Sequence, residues 1–307
     1  METLVVKAGG AAGVDLEAVC ADVACLARSG HSMVLVHGTS AAADALAVRV
    51  GVPVRHLLSP SGHVSRYTDP EMLELYVAAA AGQVNKRAVS VLQRMGCNAI
   101  GLSGADGRLL MARRKGAVRS IDEGGRQRVV RDDHSGQLES TNSGLLRLLL
   151  AEGYVPVVAP LALGAEGELL NVDGDRAAAL IAGALGASSL IILSNVPGLL
   201  ARHPDESSLI RFVASADLEM AEAKAGGRMK KKLLAAREAL ASGVARVVLS
   251  DSRRAHPVQA ALAGEGTVIA EYAEEIEYAL PLAPSLTGPG SGRAEAPFRA
   301  EPSMLAC

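Results

Sequence analysis

The chain has 307 residues, enough to bury a substantial core in one large α/β domain or two lobes. Apolar residues make up 49%, charged residues 21%, and the formal net charge is −2, a balance that calls for neither nucleic acid nor a membrane surface as partner. Aromatics are 2% with no Trp, so the core must be built from Ala, Val and Leu, and base-stacking platforms are not expected. No apolar run approaches the ~18 residues that cross a bilayer. The chain enters directly on Leu4, Val5 and Val6 without a basic-then-apolar leader, so a cytoplasmic location is expected. Cys20, Cys25, Cys97 and Cys307 form no CxxC pair and no cluster with His, which predicts reduced filler thiols and no metal held by the protein.

In chain order, residues 4–6 read as a strand, and Asp15 is placed to cap a helix running to about 28. Residues 33–36 are a second strand, followed by an Ala-rich helix at 40–50 and a longer helical stretch at 70–95, broken near Gly82. A strand at 99–102 precedes two β-rich runs, 109–112 and 127–130, which flank the turn Asp122-Glu123-Gly124-Gly125 and read as a hairpin. Then come a helix at 145–150, a strand at 155–159, a helix at 175–185 and a strand at 190–193. A helix at 230–240 closed by Gly243 and strands at 247–249 and 268–269 complete the set. Strands alternating with crossover helices predict a mostly parallel sheet covered on both faces, a three-layer αβα sandwich. From about Glu271 five prolines interrupt Gly, Ser and Ala, and residues 271–307 read as a disordered tail.

Four stretches carry chemistry. Lys7-Ala8-Gly9-Gly10 follows the first strand, where glycines let backbone amides approach a phosphate and Lys7 adds positive charge. His37-Gly38-Thr39-Ser40 ends the second strand and runs into a helix start, with Ser40 the expected cap. Asn171-Val172-Asp173-Gly174-Asp175 opens another helix, where either aspartate could serve as an ordinary cap. Gly226-Gly227-Arg228-Met229 leads into Lys230, Lys231 and Lys232, positive charge at a helix start that opposes the dipole unless an anion is near. There is no GxxxxGK(S/T) loop, no strand-linked GxGxxG, no GxSxG and no HExxH, so P-loop, dinucleotide-binding, esterase and zinc-protease readings all fall.

Taken together and in this order, these stretches and Ser194-Asn195-Val196-Pro197-Gly198-Leu199 resemble the amino acid kinase superfamily, in its acetylglutamate kinase branch, over residues 3–270. The motif Gly62-His63-Val64-Ser65-Arg66-Tyr67-Thr68-Asp69, with Val84-Asn85-Lys86-Arg87 and the run at 98–104, is similar to the kinases acting on aminoadipate carried by LysW, a small acidic amino-group carrier protein. The resemblance implies ATP and Mg2+, phosphorylation of the side-chain carboxylate of a carrier-linked amino acid, and a homodimer. It implies that Lys7 and Lys232 stabilise the phosphoryl group in flight with Asp175 holding both, and that Gly38, Thr39, Arg66 and Asn171 bind the acceptor. Gly9, Gly10, Ser194, Asn195, Gly198, Leu199, Gly227 and Met229 would meet the nucleotide. Residues 1–170 would form an acceptor lobe and 171–270 a nucleotide lobe. N-acetylglutamate kinase and a non-catalytic ligand-binding regulator stay open as alternatives.

Thr39 departs from the branch, which usually has a glycine there; a left-handed backbone at that point would cost about 1–3 kcal/mol. Between Arg108 and Arg131, eight basic residues face only Asp122 and Glu123, a net of +6 in a chain of net −2. Arg113, Arg114, Lys115 and Arg119 in that stretch are the candidates for steering an acidic carrier.

Overall fold

A computed structural model describes residues 2–272, except 61, 63 and 122–124. Most of the expected tail, most of the turn at 122–125 and His63 of the 62–69 motif therefore lie outside the described residues.

The first half of the chain gives β1 (Thr3–Ala8), α1 (Leu16–Arg28), β2 (Ser32–His37), α2 (Ser40–Val50), β3 (His56–Leu58), β4 (Val64–Arg66), α3 (Pro70–Val77), α4 (Asn85–Arg94) and β5 (Ala99–Ser103). β6 (Leu110–Arg114), β7 (Val118–Ile121), β8 (Gln127–Val130), β9 (Gly136–Thr141), α5 (Ser143–Ala151) and β10 (Val155–Ala159) follow. The remainder is β11 (Leu161–Leu163), β12 (Leu169–Asn171), α6 (Gly174–Leu185), β13 (Ser189–Ser194), β14 (Phe212–Ala214), α7 (Leu218–Lys224), α8 (Gly227–Ala241), β15 (Arg246–Asp251), α9 (Pro257–Leu262) and β16 (Thr267–Ala270).

An eight-stranded sheet in the order β14-β16-β15-β13-β1-β2-β10-β5 runs through the centre, parallel except where β15 meets β16. Its strands are apolar on both faces because both are covered. Val5, Leu190 and Ile192 point to the layer of α5, α6 and α8, while Leu4, Val6, Ile191 and Leu193 point to the layer of α1, α4 and α9. The αβα sandwich expected from the alternation is the observed architecture. Ala fills the close approach of α6 and α8: Ala178, Ala182, Ala235 and Ala239 are all buried there, as the aromatic-poor composition requires.

Three expectations are corrected. The helical stretch does not break at Gly82; α3 runs into α4 through a π-helical segment, Ala78–Val84. The partner of 127–130 is β7, with Val118 opposite Val130 and Ile121 opposite Gln127; β6, the run expected there, pairs with β9 in a different sheet. Both runs have strand-forming residues, but composition does not choose a register. Finally, the helix expected at 230–240 starts earlier, at Gly227.

Candidate active site

The parallel strands end along one edge, where ligand crevices form in open α/β sheets. Two glycine turns pack backbone against backbone there. The Gly38 amide donates to the Ala8 carbonyl at 2.8 Å, and the Ala41 amide donates to the Gly10 carbonyl at 2.7 Å. A Cβ on Gly10 would lie 2.2 Å from the Thr39 nitrogen, and one on Gly38 would lie 2.2 Å from the Gly10 nitrogen. These glycines are required for close approach rather than for a left-handed backbone. Ser40 is not the cap of α2 but its first residue, and its hydroxyl donates to the Gly10 carbonyl at 2.9 Å.

Thr39 occupies the cap position at φ −132° and ψ −7°, outside the left-handed region. The strain anticipated for a threonine here does not exist. Thr39 is buried on the cavity wall beside Tyr76, whose hydroxyl burial pushes up to about 12. His37 is fully buried behind this turn, 3.3 Å from the Asn85 amide nitrogen, and burial lowers its pKa to about 4. It is a neutral packing residue, away from the cavity wall.

The two aspartates of the α6 start divide their roles. Asp173 is the cap, accepting the amides of Asp175 at 3.0 Å and Arg176 at 3.2 Å. That leaves the Asp175 carboxylate free to face inward, where Lys7 Nζ lies 2.6 Å and Lys232 Nζ 3.1 Å away. All three side chains are buried. Burial alone would raise the Asp175 pKa, but the Lys232 and Lys7 ammonium groups outweigh it and hold the carboxyl well below its usual range. Burial pulls the Lys232 ammonium downward, with Asp175 opposing. Two positive charges around one negative leave a net charge of about +1 on three buried side chains, the electrostatic character suited to an anion.

At one end of the crevice, Arg66 reaches Asp44 at 2.5 Å and donates to the Ser40 carbonyl at 3.2 Å. The Asn171 amide donates to Thr68 Oγ1 at 3.0 Å. On the other side, Gly198 turns the chain where a Cβ would meet Thr267 Oγ1 at 2.5 Å. The Thr267 hydroxyl accepts the Leu199 amide at 2.8 Å and donates to the Ile210 carbonyl at 2.6 Å. Gly227 begins α8 at φ +55°, a value that favours glycine, and Lys231 turns toward Asp173 at 3.7 Å.

A cavity of about 940 Å³ joins the two sides. Lys7, Asp175, Lys232, Gly38, Thr39, Arg66 and Asn171 line it, as do Gly9, Gly10, Ser194, Asn195, Gly198, Leu199, Gly227 and Met229. Of the four basic candidates for carrier contact, Lys115 alone lines the cavity. Arg113 is tied to Glu139 at 3.2 Å, Arg114 donates to the Asp133 carbonyl at 3.1 Å, and Arg119 is exposed on β7. Sequence reasoning missed Asp44, Tyr76, Thr267 and the wall formed by Leu200, Ala201 and His203. No motif marks them: Asp44 and Thr267 act through a neighbour, and Tyr76, Leu200, Ala201 and His203 reach the wall only once the chain is folded.

Residues 2–251 match the amino acid kinase family, and the chain belongs to it. A LysW-aminoadipate kinase of Deinococcus radiodurans is 50% identical over 266 residues, covering 87% of this chain and 91% of that protein. A LysW-aminoadipate kinase of Thermus thermophilus is 50% identical over 268 residues, covering 87% of this chain and 99% of that one. Among solved structures, N-acetylglutamate synthase from Neisseria gonorrhoeae in complex with coenzyme A and N-acetyl-glutamate superposes with a TM-score of 0.72 at 26% identity. That match covers 89% of this chain and 60% of the synthase chain. Carbamate kinase from Giardia lamblia bound to AMP-PNP, with a TM-score of 0.60 and 17% identity over 88% of this chain and 98% of that one, shares the fold.

Proposed function

We propose that this chain transfers the γ-phosphoryl of ATP to the side-chain carboxylate of α-aminoadipate, or a related amino acid, carried on a small acidic protein of the LysW type. The single observation that carries the chemistry is the buried Lys7–Asp175–Lys232 cluster on a cavity wide enough for two anionic substrates. The two relatives that are 50% identical over most of the chain support the acceptor.

A carboxylate is already ionised at pH 7, so no general base is required. Its oxygen attacks the γ-phosphorus, the bond to the bridging β,γ-oxygen breaks, ADP leaves, and a mixed carboxylic–phosphoric anhydride forms. Negative charge spreads over the equatorial phosphoryl oxygens, where the Lys7 and Lys232 ammonium groups would meet it. Asp175 holds the two ammonium groups near one another against their repulsion. The Gly9, Gly10 and Gly38 amides would orient the phosphates and the acceptor, with Arg66 and Asn171 as acceptor contacts. Ser194, Asn195, Gly198, Leu199, Gly227 and Met229 would hold the nucleotide.

Asp175 is committed to two lysines and Asp173 to a helix cap, so these carboxylates fit a metal that arrives on the phosphates rather than one held by the protein. The chemistry such a metal would supply is partial neutralisation of the phosphate charge, beside the Lys7 and Lys232 ammonium groups. In this scheme residues 1–170 serve the acceptor and 171–270 the nucleotide. Leu75, Val77, Val84, Val89 and Val91 are the candidates for a homodimer seam; Val91 is buried in the chain's own core, which leaves the four part-buried residues, and light scattering tests the association.

Incubation with ATP, Mg2+, hydroxylamine and aminoadipate-loaded carrier should yield hydroxamate. Robust hydroxamate from free N-acetylglutamate with none from the loaded carrier would overturn the acceptor assignment.

A further inference from the structure

The cations around the acceptor end of the cavity are unequally satisfied. Arg66 is neutralised by Asp44 at 2.5 Å and holds the Ser40 carbonyl. Arg176 is paired with Glu238 at 2.6 Å, and Lys231 faces Asp173. Lys115 lines the same cavity, yet its ammonium makes no hydrogen bond or ion pair among the described residues. Its backbone is fixed in place: the Lys115 amide donates to the Ser135 carbonyl at 3.1 Å, and Ser135 bridges to Asn171. Lys115 therefore stands beside the acceptor site rather than out on the hairpin.

The charges that face Lys115 are Asp133, Lys231, Arg176 and Asp173. Both carboxylates are engaged elsewhere. Asp133 accepts the Thr68 amide at 2.9 Å and the Ser135 amide at 3.3 Å, and Asp173 caps α6. The cavity walls lower the Lys115 pKa by burial, with Asp133 opposing. Its side chain is still open to solvent, so this effect is secondary to the geometry. A positive group beside two other cations, with the local anions occupied, is completed by an incoming anion. In the proposed scheme Lys7, Lys232 and the glycine turns already serve the phosphates. The acceptor brings the remaining negative charge. An amino acid joined to a carrier through its nitrogen has a carboxylate that does not react as well as the one that does.

We propose that the Lys115 ammonium binds a carboxylate of the acceptor other than the one phosphorylated, and so fixes which carboxylate meets the γ-phosphoryl. This rests on the assignment of a carrier-linked amino acid as acceptor. The carboxylate comes either from the amino acid itself or from the end of the carrier to which it is attached.

The test is steady-state kinetics of Lys115→Ala and Lys115→Arg with hydroxylamine trapping, on aminoadipate-loaded carrier and on N-acetyl-aminoadipate. Lys115→Ala should raise KM for loaded carrier about ten- to a hundredfold, the loss of one hydrogen bond to a charged group, while KM for ATP stays within about twofold. Lys115→Arg should recover most of the loss. An equal defect on N-acetyl-aminoadipate assigns the carboxylate to the amino acid; a defect confined to loaded carrier assigns it to the carrier. An unchanged acceptor KM in Lys115→Ala, or a rise in KM for ATP instead, overturns the proposal. If the wild type fails to turn over loaded carrier, the acceptor assignment falls first. An unmoved KM against an active wild type removes Lys115 alone.

Discussion

Lys7 Nζ and Asp175 Oδ1 stand 2.6 Å apart, joining the end of the first strand to the first turn of α6, and Lys232 Nζ closes on the same carboxylate at 3.1 Å. Removing the anion leaves two buried ammonium groups facing each other, a cost of about 3–5 kcal/mol for an uncompensated buried charge. Asp175→Ala should therefore lower stability by that order in chemical denaturation, as well as abolish turnover. Lys232→Ala keeps one pair intact, so its fold should survive while kcat falls about 10²- to 10³-fold, the usual loss of one preorganised electrostatic contact. Full turnover in Lys232→Ala would remove that residue from the chemistry.

His37 makes the fold acid-sensitive. Its pKa is lowered from 6.5 to about 4 by burial, so between those values the unfolded chain binds a proton that the folded chain refuses. Stability is unaffected above about pH 6.5, falls as the pH drops toward 4, and levels below it, with a total of about 3 kcal/mol. His37→Gln should flatten that part of a denaturation profile recorded between pH 7 and 4. Asp175 acts in the same direction further into acid, since a carboxyl depressed in the fold loses its contribution below the unfolded value of about 3.9.

Gly10→Ala should be inactive and destabilised by about 1–3 kcal/mol, because its Cβ would strike the Thr39 nitrogen, a backbone atom that cannot step aside. Gly82→Ala is the contrast. A Cβ there meets nothing within 4 Å, and the π-helical segment holds no positive φ, so the change should stabilise by about 0.4–1 kcal/mol. Thermal melting of the two variants separates close approach from flexibility.

Thr267 connects the Gly198–Leu199 turn, proposed to meet the nucleotide, to the sheet through its hydroxyl, bonded to both Leu199 and Ile210. Thr267→Val preserves shape but leaves a buried amide and a carbonyl without that partner, about 1–3 kcal/mol each. KM for ATP should rise while KM for the acceptor is unmoved. Equal changes in both would show that the turn serves the whole fold instead.

The layers of the sheet could be read from sequence because strand runs alternate with crossover helices and end in glycine turns at Lys7-Ala8-Gly9-Gly10 and His37-Gly38; the meeting of Lys7, Asp175 and Lys232 was implied only by the resemblance to amino acid kinases, since either aspartate of the α6 start could have been an ordinary cap. What was hidden has a physical cause in each case. β3 and β4 are three residues long, too short for a period to show. The pairing of β8 with β7 instead of β6 is a choice of register, which β-propensity does not make. The concern over Thr39 came from treating glycine as a conformational signal where it is a matter of space. The basic stretch from Arg108 to Arg131 reads as one feature by charge. Folding scatters it, so that Arg113 pairs with Glu139 on a strand surface while Lys115 turns into the cavity.

α6 and α8 are stapled along one seam: Asp173 to Lys231, Asp175 to Lys232, and Arg176 to Glu238 at 2.6 Å. Three successive rungs fix the relative height and rotation of the two helices before any substrate enters. The protein thus resembles a drawn bow along this seam, with the charges of α6 and α8 already held at fixed spacing.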